Sequence, residues 1–304
     1  MISLKNASRW YGEVIGLNDI TCEIGPGVTA LLGQNGAGKT TMMRMITGQI
    51  RPTTGSVEVF GMAPFAQPAV YKRMGFCPEI DSFPEHLSGR SFVYRMARMM
   101  GFDGADAKAK TEEVLQLVGM ADRAGKPLKA YSKGMRQRIK LAQAMVHDPD
   151  ILLLDEPLNG LDPVGRREFM DVLHKLSDRN RSIIVSSHIL FEVEQMTKSI
   201  LLLHRGRLLA AGDVKDIRAL IDRYPHRIRL RSKNPRELAA RCAEFPSVLS
   251  IELDDLLGEV EVKTREVDEF YDTIGKLALS GVSVTGIQSP DNNLESVYKY
   301  LVEA

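Results

Sequence analysis

The stretch GQNGAGKT, residues 33–40, sets three glycines beside a lysine and a threonine in the pattern G-x-x-x-x-G-K-T. That pattern suits phosphate. Backbone N–H groups must turn inward around phosphate oxygens, and glycine at Gly33, Gly36 and Gly38 relieves the Cβ clashes of such a turn. Lys39 can reach the outer phosphates, and the Thr40 hydroxyl can ligate Mg²⁺. Gln34, Asn35, Ala37 and Thr41 complete the candidate cradle. A second pair of chemical groups closes the run ILLLDE: Asp155, suited to holding Mg²⁺ through water, and Glu156, suited to polarising an attacking water. Alone, an Asp-Glu pair after an apolar run is an ordinary strand end. Beside a phosphate cradle it becomes a candidate for hydrolysis.

These residues need particular elements around them. A cradle requires a strand before it and a helix after it, because the helix N-terminus supplies free N–H donors and partial positive charge. The sequence provides both: the apolar run Val28 to Leu32 precedes the loop, and a helical run ending near Gly48 follows it. ILLLD at 151–155 and SIIVSSH at 182–188 are short apolar runs of the kind buried on both faces of a parallel sheet. Residues 1–25 alternate around Gly12 and Gly16 as antiparallel strands do, SVEVFG reads as a strand, and SILLLHRGRLLAAG at 199–212 reads as a hairpin. Residues 85–146 read as helices broken near Gly101–Gly104 and Gly125–Pro127.

Past about residue 220 the pattern changes. HRIRLRS alternates, PRELAARCAEF is helical with proline in its first turn, and VLSIELDD and GEVEVKT read as strands. REVDEFYDTIGKLALSG is helical, VSVTGIQ a strand and NLESVYKYLVEA a final helix. The order β-α-β-β-α-β plus one helix fits a split βαβ domain. The expected organisation is an α/β catalytic domain over 1–215, with a helical subdomain over about 85–145, and a small α+β accessory domain over 216–304.

The bulk numbers agree with two domains. The chain has 304 residues, beyond the roughly 250–300 at which a single core stops growing. Its 44% apolar and 26% charged content is that of a globular protein, and a net charge of +1 makes no global field for nucleic acid or anionic lipid. Cys22, Cys77 and Cys242 are odd in number, far apart and without metal-ligand spacing, so reduced thiols are expected. No apolar run approaches the roughly 20 residues that span a bilayer, and no signal peptide is read at the N-terminus.

The stretch YSKGMRQRIKLAQAMVHDPD, 131–150, is ambiguous alone. It suits a basic amphipathic helix, a nucleic-acid patch or a surface helix. In context, residues 1–215 resemble the nucleotide-binding subunit of an ABC transporter. Tyr11, in RWYG, matches the aromatic that stacks on adenine in that family. Residues 33–40 match its Walker A motif, 151–156 its Walker B motif, and NGLD, 159–162, its D-loop, which implies that Asp162 lies near a partner subunit. His188 matches the switch histidine that senses the γ-phosphate. YSKGM, 131–135, stands where the family has its signature. By resemblance, Ser132 and Gly134 close on the ATP held by another chain.

Lys133, Met135 and Glu79 depart from the family pattern. Glu79 stands where the Q-loop glutamine is usual; it still accepts hydrogen bonds from Mg²⁺-bound water but has no amide to donate. The variant signature resembles that of ABC-2-type exporters, a branch that often carries an extra C-terminal domain.

The resemblance implies an ATPase with ATP and Mg²⁺ as ligands. Thr40, Asp155 and Glu79 would organise the metal. Glu156 would activate water with His188 assisting, and Lys39 would hold the phosphates. The implied partners are a second ATPase subunit, as a homodimer, and a polytopic permease. The place is the cytoplasmic face of the cell membrane, and no nucleic-acid partner is expected. Two alternatives are an ATPase of this fold acting on ribosomes or DNA-repair complexes, and a regulatory ATP sensor. Of the smaller signals, Arg136, Arg138 and Lys140 are read as a solvated helix face. Met42, Met43, Met45, Met96, Met99 and Met100 are read as core, with contact to a membrane subunit the second reading, and Arg227, Arg229 and Arg231 as a charged strand edge, with contact to lipid headgroups the second reading.

Overall fold

A computed structural model describes residues 1–177, 180–213, 217, 225–290 and 298. The chain divides into two compact units, Met1–Gly212 and Asp213–Ala304.

The first unit contains two sheets. β1 (Ile2–Tyr11), β2 (Val14–Ile24) and β4 (Thr54–Val59) form an antiparallel sheet in the order β2-β1-β4. The larger sheet has the order β5-β6-β7-β3-β8-β9: β5 Met74–Cys77, β6 Ile151–Leu154, β7 Ser182–Ser187, β3 Gly27–Leu32, β8 Ser199–His204 and β9 Arg207–Asp213. The pairs from β5 to β8 are all parallel. β6 and β7 are buried at every residue; β6 is wholly apolar, and β7 buries an apolar centre between serines. Arg205 and Gly206 both have positive φ and turn β8 directly into β9.

Register does the positioning. Cys77 pairs with Leu154, Leu154 with Val185, and Leu32 with Ser187. The carboxyl ends of β5, β6, β7 and β3 therefore lie in a row. Residues far apart in sequence leave the sheet side by side at that edge, where ligands of open α/β sheets bind.

The helices are capped locally. α1 (Lys39–Ile46) starts directly at the glycine-rich loop and buries Met42, Met43, Met45 and Ile46. α2 is the short Pro68–Tyr71. Ser88 caps α3 (Gly89–Met99), Asp103 caps α4 (Gly104–Leu117) and Ser132 caps α5 (Lys133–Met145), each accepting a first-turn N–H. α6 (Pro163–Ser177) and α7 (Leu190–Met196) follow β6 and β7. The sequence reading did not place β5, α2, α6 or α7. The methionine reading holds for Met42, Met43 and Met45 in the core and fails for Met99, which is 78% exposed.

The second unit has β10 (His226–Arg231), α8 (Pro235–Cys242), β11 (Val248–Asp254), β12 (Glu259–Thr264), α9 (Val267–Leu279) and β13 (Gly286–Gln288). The sheet order β11-β12-β10-β13 is antiparallel throughout, the split βαβ arrangement with β12 between β10 and β11. Its core gathers Ile228, Leu230, Leu238, Val260, Val262, Phe270 and Ile274.

Two expectations are corrected in this unit. The strand read over VSVTGIQ is only three residues long; Thr285 N–H bonds Arg231 O, but the residues before it make no ladder. Arg227, Arg229 and Arg231 do not guard an edge. β10 is interior, and these arginines pair with Glu261 and Glu259 on β12. The final helix read from NLESVYKYLVEA lies almost wholly outside the described residues, as do most of residues 213–224 around the expected domain boundary.

Candidate nucleotide site

The loop between β3 and α1 is built for close approach. A Cβ on Gly33 would stand 2.5 Å from Leu203 O and 2.8 Å from the Ala37 Cβ. Gly38 has φ +108°, and a Cβ there would meet Leu17 and Gly16 O within 2.8 Å. The two glycines thus serve different needs: one makes room, and the other also adopts a left-handed backbone. The loop borders a cleft of about 450 Å³ lined by Val14, Gly16, Gln34, Asn35, Gly36, Gly38, Lys39, Thr40, Thr41, Glu79 and Glu156, among others. Lys39 is buried; its Nζ donates to Gly33 O at 2.6 Å and Gln34 O at 3.3 Å.

From the neighbouring strand ends come the carboxylates. Thr40 Oγ1 donates to Asp155 Oδ2 at 3.0 Å, and Ser186 Oγ donates to Asp155 Oδ1 at 2.6 Å. Ser186 Oγ also accepts the Glu156 N–H at 2.7 Å. Glu156 takes φ +47°, in the left-handed region uncommon for a residue with a side chain. Its Oε2 lies 2.9 Å from His188 Nδ1. Its Oε1 is buried without a hydrogen bond, 3.2 Å from Lys39 Nζ in an ion pair. Beyond that ion pair the oxygen keeps acceptor capacity beside the phosphate-type loop.

The donor set also fits a divalent cation held jointly with nucleotide. The Thr40 hydroxyl and the Asp155 carboxylate are hard oxygen donors in direct contact, and Glu79 lines the same cleft. Among the described residues no cluster of three or more His, Cys, Asp or Glu could hold a metal by itself. A few hard oxygen donors are what Mg²⁺ usually takes from a protein, with phosphates and water supplying the rest.

The chain is similar to known proteins across its length. Residues 17–159 match the family model described as "ABC transporter". The Bacitracin transport ATP-binding protein BcrA of Enterococcus faecalis is 31% identical over 99% of this chain and 96% of its own. The chain belongs to the ATP-binding proteins of ABC transporters. The Daunorubicin/doxorubicin resistance ATP-binding protein DrrA of Streptomyces peucetius is 31% identical, covering 88% of this chain and 87% of its own. A solved "ATP binding subunit of ABC transporter" superposes with TM-score 0.66 at 28% identity, over 72% of this chain and 92% of that one. This ABC protein is thus an α/β P-loop ATPase that binds nucleotide and serves a transporter.

Several sequence-singled residues of the ABC ATPase fall outside the cleft lining. Ser132 Oγ accepts Met135 N–H and caps α5, while Gly134 is an ordinary helical residue beside Leu161. Asp162 Oδ1 accepts Gly165 N–H and caps α6. Lys133 lies over Gly160, so the 132–135 and 159–162 segments of one chain touch each other. Tyr11 is 42% exposed, with its ring against Gly16 and the Arg9 guanidinium 5.0 Å from the ring centre.

The solvated-face reading of Arg136, Arg138 and Lys140 is overturned. Their side chains are 18%, 19% and 2% exposed, and each is paired. The reason is that α5 packs between other segments and has no free face at these positions. Arg138 bonds Val118 O and Glu168, while Arg136 and Lys140 reach the loop after β5.

The sequence reading also missed residues that hold the site in place. Ser186 ties Asp155 to Glu156; a serine within a fully buried strand needs such partners, and that was the available signal. Arg166 donates to Leu161 O and pairs with buried Glu192, which bonds Ser187 beside His188. Burial pushes the Glu192 carboxyl above the usual carboxylate range, against the pull of Arg166 and Ser187. These partners sit at unrelated sequence distances and carry no spacing pattern.

Proposed function

We propose that this ATPase subunit works as a dimer closed around two Mg²⁺–ATP and drives a separate polytopic permease in the direction of export. The observation that carries the hydrolytic part is the Glu156 carboxylate. One oxygen is held by His188, and the other is buried, unbonded and directed toward the Lys39 ammonium in the cleft. In this reading Lys39 and the loop amides of 33–41 hold the triphosphate, and Tyr11 stacks on adenine. Thr40, Asp155 and Glu79 would hold Mg²⁺, which neutralises phosphate charge. Glu156 orients water and takes its proton, and His188 fixes the carboxylate and senses the γ-phosphate.

The dimer reading is supported by the place of three residues away from the cleft. Ser132, Gly134 and Asp162 do not line their own chain's cleft; in this reading they complete the cleft of a second copy. Loss of the bridging γ-phosphate then loosens the pair, and the helical segment 85–145 passes the motion on.

A separate membrane partner is supported by the described residues, none of whose helices is long and apolar enough to cross a membrane. The permease would hold this chain at the cytoplasmic face. Export is supported by relatives named for bacitracin transport and daunorubicin/doxorubicin resistance.

The test is affinity capture of the tagged full chain from gently solubilised native membranes. A polytopic membrane protein at about equal stoichiometry is expected. Ribosomal or DNA-repair proteins without a membrane partner would overturn the permease reading.

A further inference from the structure

Two cations stand four residues apart on α5, and both grip the same loop. Lys140 Nζ donates to Pro78 O and to Glu79 O, each at 2.9 Å, and lies 3.0 Å from Asp81 Oδ1. An ammonium has three protons, and here each has an acceptor. Arg136 donates twice to the Glu85 carboxylate, at 2.9 and 2.7 Å, and stands 3.8 Å from Asp81. The gripped loop, 78–85, leaves the carboxyl end of β5, and Glu79 within it lines the nucleotide cleft with Lys39, Thr40 and Glu156. Arg136 lies in the first turn of α5, where its N–H bonds the O of the capping Ser132.

We propose that Lys140 is a positioning residue for Glu79. By holding the carbonyls of residues 78 and 79, it sets how deeply the Glu79 carboxylate enters the cleft. It thereby sets how strongly the cleft prefers Mg²⁺-loaded nucleotide over metal-free nucleotide. The inference rests on reading the cleft as a Mg²⁺–ATP site.

Two physical points support it. A buried ammonium that lost its acceptors would be an uncompensated charge in a dry setting. The loop and the helix therefore hold one arrangement together and cannot drift apart by degrees. The interaction of the Glu79 charge with a divalent ion also depends on their separation, so a small retreat of the loop weakens it. Main-chain carbonyls of residues 78 and 79 are the atoms gripped, so the hold acts directly on the backbone that carries Glu79.

The experiment uses the full chain as wild type, Lys140→Met, Glu79→Gln and the double variant. Methionine keeps the length and the apolar stem while removing the donors. A fluorescent non-hydrolysable ATP analogue is titrated in Mg²⁺ and in EDTA, and the ratio of the two Kd values is the readout. Lys140→Met is expected to shrink that ratio about three- to tenfold, all of it in the Mg²⁺ arm, and the double variant is expected to match Glu79→Gln because the two residues act through one contact. Amide hydrogen exchange in the 78–85 segment should quicken in Lys140→Met.

If Lys140→Met does not fold, Asp81→Asn loosens the same grip from the loop side and should lower the ratio in the same direction. An unchanged ratio in the folded variant overturns the inference, as do Lys140 and Glu79 effects that multiply. A wild type that binds no nucleotide in either buffer overturns the functional reading itself. A wild type that binds with a Mg²⁺ preference untouched by the variants overturns only the role of Lys140.

Discussion

His188 Nδ1 and Glu156 Oε2 are 2.9 Å apart, although the two residues leave different strands of the sheet. β6 and β7 are parallel neighbours, with Leu154 beside Val185, so the residues just past their ends meet. The left-handed backbone of Glu156 turns its carboxylate into this meeting point. Glu156→Gln keeps the shape and removes the carboxylate proposed as the base. Turnover should fall by roughly 10²–10⁴, with ATP still bound. His188→Ala should lower turnover less, because Ser186 and Lys39 still hold the Glu156 segment. Steady-state ATPase assays beside equilibrium ATP binding separate the two; Glu156→Gln at wild-type turnover would remove it as the base.

Ser132 caps α5 and does not line its own chain's cleft. Ser132→Arg should therefore abolish ATPase activity and leave nucleotide binding by the single chain intact. Mixing it with Glu156→Gln offers a sharper check. In a mixed dimer one site pairs an intact Glu156 with an intact Ser132 from the other chain. Activity should reappear on mixing two inactive variants. A mixture that stays dead at concentrations where dimers form would speak against a shared site.

Gly75 in β5 packs against α5 so closely that a Cβ would lie 2.1 Å from Ala144 O. The neighbour is backbone and cannot swing aside. Gly75→Ala should destabilise the first unit by about 1–3 kcal/mol or more through overpacking. It should also disturb the loop after β5, where Glu79 and the α5 contacts lie. Denaturant unfolding reads the stability, and an unchanged midpoint would mean that α5 shifts freely.

His147 Nε2 bonds Met74 O at 3.0 Å, while its Nδ1 is buried without a hydrogen-bond partner. Burial holds its pKa below the ordinary histidine value, against smaller upward pulls from Met74 O and Asp148. A histidine whose folded pKa is depressed stabilises the fold fully above its unfolded pKa, about 6.5. That contribution is lost as pH falls from there through the folded pKa. Wild-type stability should drop more steeply between about pH 7 and pH 5 than that of His147→Gln, whose amide can still donate to Met74 O. Parallel urea midpoints across that range would show that His147 contributes no such dependence.

The cradle and the carboxylate pair were legible in the chain because their geometry is local. GQNGAGKT needs only a strand before it and a helix after it, and both lie within about ten residues. The apolar runs of β3, β6 and β7 announced buried parallel strands for the same reason: burial on both faces leaves a mainly apolar record. Strand order was another matter. The adjacency of β5, β6, β7 and β3 brings residues 33–40, Glu79, Asp155, Glu156 and His188 to one edge, and it is a property of packing that no spacing encodes.

The α5 cations show the limit most clearly. Arg136 and Lys140 are one helical turn apart, and that periodicity is the same whether a face meets water or a row of carbonyls. The sequence pattern by itself reads as a solvated face. In the fold the loop after β5 lies against them, and the Lys140 side chain is 2% exposed. Sequence alone determined that this chain carries a phosphate-type glycine loop between a strand and a helix. Only the tertiary structure decided which groups surround that loop and what holds them there, because a side chain's environment is set by segments it meets in space and not by its neighbours along the chain.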